Sequence, residues 1–97
     1  MIPRSLKLGQ NFPNPFNPTT TIAYELPFRA MVQVAVFDLL GREVQELIRE
    51  DQEAGSYTIT WDASAVSSGV YYYRLEVVNR SDPSLRYRET RPMFFVR

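Results

Sequence analysis

The sequence predicts an all-β domain, an immunoglobulin-like antiparallel β-sandwich of about seven strands. Three observations carry this. Short segments alternate apolar and polar residues with period two and are rich in β-branched and aromatic side chains. Clusters of Gly, Pro, Asn, Asp and Ser separate them at roughly 8–12-residue spacing. No stretch carries a secure helical pattern with caps at both ends.

Leu6-Lys7-Leu8 is a short pairing segment, and the residues before Gln10 read as linker. The division is therefore residues 1–9 as linker and first pairing segment and residues 10–97 as the sandwich. In Gln10-Asn11-Phe12-Pro13-Asn14-Pro15-Phe16-Asn17-Pro18-Thr19, three prolines and three asparagines frame two phenylalanines. Each proline fixes its own φ, lacks a donor and pushes its predecessor out of the α region, so the segment is extended or turned and not a central strand. Asparagine side chains supply the hydrogen bonds that such a backbone lacks. Phe12 and Phe16 are expected to dock on the core, with the segment capping one end of the fold.

Thr20 to Leu26 alternates, with Ile22, Tyr24 and Leu26 inward, and ends at Pro27. Met31 to Asp38 repeats the pattern with Val32, Val34 and Val36 inward; Met31, Gln33, Ala35 and Phe37 form a partly covered opposite face. Asp38 to Arg42 is a tight connection in which Gly41 takes positive φ and the Asp38 carboxylate caps turn amides. Arg42 to Glu50 is ambiguous, because Val44, Leu47 and Ile48 also suit helical spacing; it reads as a strand that breaks near Leu47. Gln52 to Ser56 is a turn. Tyr57 to Trp61 is a strand with Trp61 as core anchor, and Asp62 to Ser64 and Ser67 to Gly69 are turns. Val70 to Val78 is the longest strand, with Tyr71, Tyr73, Leu75 and Val77 inward. After a polar connection from Asn79, Arg86 to Thr90 and Met93 to Arg97 make a last strand interrupted by Pro92, which implies an edge or a bulge.

The chain has 97 residues, enough for one domain that buries about 60–65% of its unfolded surface. With 44% apolar and 13% aromatic residues it should fold, and without cysteine it must stand on its core alone. Eleven basic residues balance eleven acidic ones, which argues against a nucleic-acid partner. The distribution is uneven. From Asp38 to Asp62 seven acids face two arginines, whereas from Arg74 to Arg97 six arginines face three acids. No apolar run reaches the roughly 18 residues of a membrane span, and Met1-Ile2-Pro3-Arg4 is not followed by the apolar core of a signal peptide. If exported, the chain is expected to be the downstream part of a longer protein.

Without histidine or cysteine, catalysis would rest on carboxylates. Asp38 and Asp62 stand at strand ends, where their simpler work is to cap turns, so no enzyme activity and no cofactor is expected. Calcium is an alternative use of Asn11, Asn14 and Asn17 with Asp38 or Asp62, but no Ca-loop spacing is present. Tyr72 near Phe37 is a candidate aromatic patch for sugar, as in a carbohydrate- or protein-binding module.

Four blocks stand in order: Gln10 to Ile22, Val36 to Val44, Trp61-Asp62-Ala63, and Ser68 to Leu75. Their distinctive positions are Asn11, Pro13, Asn14, Pro15, Phe16, Asn17, Pro18, Asp38, Gly41, Trp61, Asp62, Gly69 and Tyr71. Together they resemble the type A C-terminal sorting domain of the type IX secretion system, related to the immunoglobulin-like domain of flagellar hook-capping proteins. The resemblance implies a domain of Bacteroidetes-type bacteria that follows a cargo in the same chain. It implies that the cargo crosses the periplasm, is recognised by an outer-membrane translocon, and is cleaved by a sortase-like peptidase at the cell surface or on release to the medium. A monomer is expected. Carried over by position, the residues implied to engage the machinery are Thr90, Arg91, Met93, Phe94, Phe95, Val96 and Arg97. Pro92 falls within a strand that the family usually keeps free of proline. The terminal edge is expected to offer unpaired backbone groups for strand addition, while Pro92 and the arginines prevent self-pairing.

Overall fold

A computed structural model of the chain describes residues 5–97. The first four residues of the predicted linker lie outside the described residues. Seven strands follow in order: β1 Lys7–Leu8, β2 Thr19–Leu26, β3 Ala30–Phe37, β4 Glu43–Gln52, β5 Gly55–Asp62, β6 Gly69–Asn79 and β7 Arg86–Phe95. They form two antiparallel sheets, β1-β2-β5 and β4-β3-β6-β7. The predicted sandwich is the observed one.

The core lies between the sheets and follows the predicted parity. Ile22, Tyr24 and Leu26 of β2 are buried, as are Val32, Val34 and Val36 of β3, Trp61 of β5, and Tyr71, Tyr73, Leu75 and Val77 of β6. These side chains occupy alternate positions because a strand's side chains alternate between faces, and only one face of each sheet meets the other. Ala35, on the opposite face of β3, is also buried, in keeping with partial cover there.

Two expectations about continuity are corrected. β4 does not break near Leu47; it runs through to Gln52 with two bulges. Val34 pairs with Ile48 and Ala35 with Glu46, leaving Leu47 as an extra residue; Val36 pairs with Gln45 and Phe37 with Glu43, leaving Val44. Each bulge adds one residue and shifts the side-chain parity. Val44, Leu47 and Ile48 can therefore all pack against the core, which is why their spacing imitates a helix.

β7 likewise runs unbroken through Pro92, in constant register with β6 from Gly69↔Phe95 to Val78↔Arg86. The reason is parity. Phe94 and Val96 direct their N–H groups away from β6, since Phe94 N donates to Asn14 Oδ1 (3.0 Å) and Val96 N donates to Phe16 O (3.0 Å). Pro92 has the same parity, so its missing N–H lies on the outer side and no bond to β6 is lost. β7 is the edge strand that proline implied, without a bulge.

Candidate functional site

The proline–asparagine segment crosses from one sheet to the other. It leaves β1 beside β2, with Gly9 N donating to Ala23 O (2.8 Å) and Phe12 and Thr21 exchanging backbone bonds of 2.9 Å. It then reaches β7, where Phe16 N donates to Phe94 O (3.0 Å) and Phe16 forms a parallel bridge with Phe95. The Phe12-Pro13, Asn14-Pro15 and Asn17-Pro18 bonds are cis.

Side chains fasten this crossing. Tyr73 Oη donates to Gly9 O (2.6 Å) and accepts from Asn11 N (2.9 Å). Buried Asn11 donates from Nδ2 to Thr20 Oγ1 (2.9 Å) and Pro13 O (3.2 Å), and Thr20 Oγ1 also donates to Pro13 O (2.8 Å). Gln10 Nε2 donates to Pro92 O (3.0 Å). The asparagines thus supply what the prolines withhold, as predicted. Burial pushes the Tyr73 phenol up, while the Asn11 amide bond opposes it. Burial drives the Tyr24 phenol to about 12 against the pull of its bond to Gln52.

Only one of the two phenylalanines docks. Phe16 is 2% exposed, stacked on Phe95 at 5.3 Å between centroids and tilted against Trp61 at 5.9 Å. Phe12 is 78% exposed, which corrects the expectation that both reach the core. Its backbone continues the β1 line along β2, so the side chain at that position stands outside the sandwich.

The four sequence blocks converge at this end. Trp61 meets Tyr71 edge-on at 5.5 Å, and its Nε1 donates to Gln45 Oε1 (3.1 Å). Tyr71 Oη donates to Ser67 O (2.6 Å), and the Asp38–Arg42 turn shares a cleft with Ser67, Gly69 and Tyr71. In that turn Gly41 has φ of 84°, and Asp38 Oδ1 accepts from the amides of Leu40 and Arg42, both at 2.9 Å. The Arg42 amide first, helped by the Arg42 guanidinium and the Leu40 amide, holds the Asp38 carboxyl below its ordinary value against the opposing pull of desolvation. The Ser64 hydroxyl and then its amide do the same for Asp62. Both aspartates are turn caps.

The sequence-predicted recognition residues divide into two groups. Met93 and Phe95 are buried. Thr90, Phe94, Val96 and Arg97 are exposed and Arg91 is half-buried. The Arg97 guanidinium donates to Ser64 O (3.1 Å) and to Val66 O, and lies 5.2 Å from the Phe95 ring. The terminal backbone edge is not free. Pro92 O, Phe94 N, Phe94 O and Val96 N are all bonded to Gln10, Asn14 or Phe16. This corrects the expectation of unpaired groups there: the entry segment already completes that half of the strand.

The other candidates separate. Asn11 is buried among its hydrogen bonds and Asn14 faces Phe94, while among the described residues no acidic cluster able to hold a metal ion gathers. Phe37 and Tyr72 are paired neighbours and both half-buried, and the Arg74 guanidinium covers the Phe37 ring at 4.2 Å. Gln10, Thr20 and the Tyr73 hydroxyl escaped the sequence reading as parts of the site. The available signal was that a buried tyrosine hydroxyl needs a partner.

A family model described as the secretion system C-terminal sorting domain matches residues 10–82. No curated protein matches the chain.

Proposed function

From the premise that the chain belongs to the secretion system C-terminal sorting domain family, we propose that the outer face of the last strand and the entry segment fastened to it are read together by the export machinery. The domain is a sorting signal of the type IX system, which takes a cargo in the same chain through the periplasm to the cell surface or medium. Among the described residues no helix is long and apolar enough to cross a membrane.

The observation that carries the proposal is the set of four bonds joining Gln10, Asn14 and Phe16 to Pro92, Phe94 and Val96. Because they occupy the terminal edge, recognition there proceeds through side chains: Thr90, Phe94, Val96 and Arg97 contact the outer-membrane translocon, with Arg91 beside them. Met93 and Phe95 act through the fold. The domain is monomeric and not an enzyme, binds no nucleic acid, and is cut from its cargo by a sortase-like peptidase. The two turn aspartates support the non-catalytic reading, since their oxygens are committed to turn amides.

The test is a paired substitution, Phe94→Ser with Val96→Ser, in a cargo fusion whose domain keeps its thermal midpoint. Export should fall about tenfold, as for loss of interface anchors. Undiminished export by the folded double variant would refute the assignment.

A further inference from the structure

Only the terminal half of the β7 edge is covered. By the parity that aims Phe94 outward, Arg86, Arg88 and Thr90 also present their N–H and C=O groups away from β6. Among the described residues no other strand pairs there, because β7 ends its sheet and the entry segment is bonded to it only from Pro92 onward. Among the described residues, five consecutive positions of strand edge, Arg86 to Thr90, therefore have no backbone partner on the outer side, beside a stretch closed by the chain itself.

This open half-edge borders a cleft of about 570 Å³ lined by Leu6, Pro27, Phe28, Tyr87, Arg88 and Glu89. Phe28 and Tyr87 pack at 6.0 Å and Tyr87 stays 42% exposed, so the floor is apolar. The opposite side of β7 is basic. Arg86 has no acidic partner among the described residues, and Arg88 reaches Glu76 at only 3.4 Å with most of its side chain exposed.

We propose that Arg86–Thr90 is a second docking edge that accepts, by strand addition, an extended peptide in which apolar and acidic residues alternate. The alternation follows from strand geometry. Residues of the added strand level with Tyr87 and Glu89 turn toward the cleft, where the Phe28–Tyr87 floor favours an apolar side chain and the Glu89 carboxylate, already paired with Arg91, disfavours a second acid. Those level with Arg86 and Arg88 turn outward and meet two guanidiniums, which select carboxylates. The molecule supplies its own precedent, since Phe16 pairs with this strand and sends its ring into the core a few residues further along. A second copy is disfavoured as occupant. Its acidic edge is β4, where the bulges at Val44 and Leu47 disrupt the straight ladder that pairing requires. The proposal does not depend on the export reading, with which it shares only Thr90.

The probe is a ten-residue synthetic peptide alternating valine and glutamate, with a valine–lysine peptide and a scrambled valine–glutamate peptide as controls. Binding to the 97-residue chain is read by fluorescence anisotropy, with amide exchange to locate the contact. The alternating acidic peptide should bind, weaken with salt, and protect the amides of Arg86, Arg88 and Thr90. Arg88→Gln removes one charge. Arg88→Pro also removes the outward N–H without costing a bond to β6, as at Pro92, and should weaken binding further, roughly tenfold or more below the parent. Equal binding of the lysine or scrambled peptide, equal affinity of the Gln and Pro variants, protection at another edge, or no binding would each overturn the proposal. Self-association through this edge in sedimentation experiments would also overturn it.

Discussion

Phe16 serves twice, because its ring fills the core beside Trp61 and Phe95 while its backbone closes the edge of β7. Phe16→Ala should therefore cost roughly 3–5 kcal/mol in urea unfolding, the usual range for deleting a buried aromatic ring. Phe12→Ala, at a mostly exposed ring, should stay within about 0.5 kcal/mol. Tyr73→Phe removes one oxygen but strands two backbone groups, the buried Asn11 N–H and the part-buried Gly9 O, and should cost about 1–3 kcal/mol. The Asp38 carboxyl is held below its ordinary value of 3.8 by the Arg42 amide first, so its contribution is complete above that pH and is lost as pH falls through the depressed folded value. An NMR titration should show the Leu40 and Arg42 amides shifting together below pH 3.8. Asp38→Asn should abolish that shift. The roles of Asp38 and Gly41 were legible in the sequence because a turn is local. The partners of Tyr73 lie 62 and 64 residues away and were not.

At the scale of elements, proline tolerance in β7 depends on parity. Pro92→Thr should change stability by less than about 1 kcal/mol, because the new N–H points outward. Arg91→Pro, one residue earlier, removes an N–H that faces β6 opposite Tyr73 and should cost roughly 1–3 kcal/mol by thermal unfolding. β2, β3, β5 and β6 were readable from alternation because each turns one face to the core. β4 was the exception: its two bulges break strict alternation, and period-two reasoning interprets a shifted parity as an interruption. Pro92 misled in the same way, since sequence alone identifies a missing donor but not the direction in which it would have pointed.

Over the whole molecule, the uneven charge of the sequence becomes a polarity across one sheet. The acids of β4 occupy one edge and the arginines of β7 the other, with β3 and β6 between them. The domain remains neutral overall while presenting two differently charged flanks. The entry segment ties the sheets together at the end where the four sequence blocks meet, so the residues that identify the family are largely those that build this junction. The blocks were visible in the chain, but their convergence was not, because strand pairing is long-range and local patterns carry no record of it. The family match stops at Asp82, before β7, yet its first block is bonded to that strand. The most direct measurement fuses a reporter with an N-terminal export signal to this chain and follows it in a bacterium with a working type IX translocon and in the same strain without one. The reporter should reach the surface or medium only in the first, and accumulate in the periplasm in the second. Periplasmic retention in both strains, with the domain folded, would contradict the account.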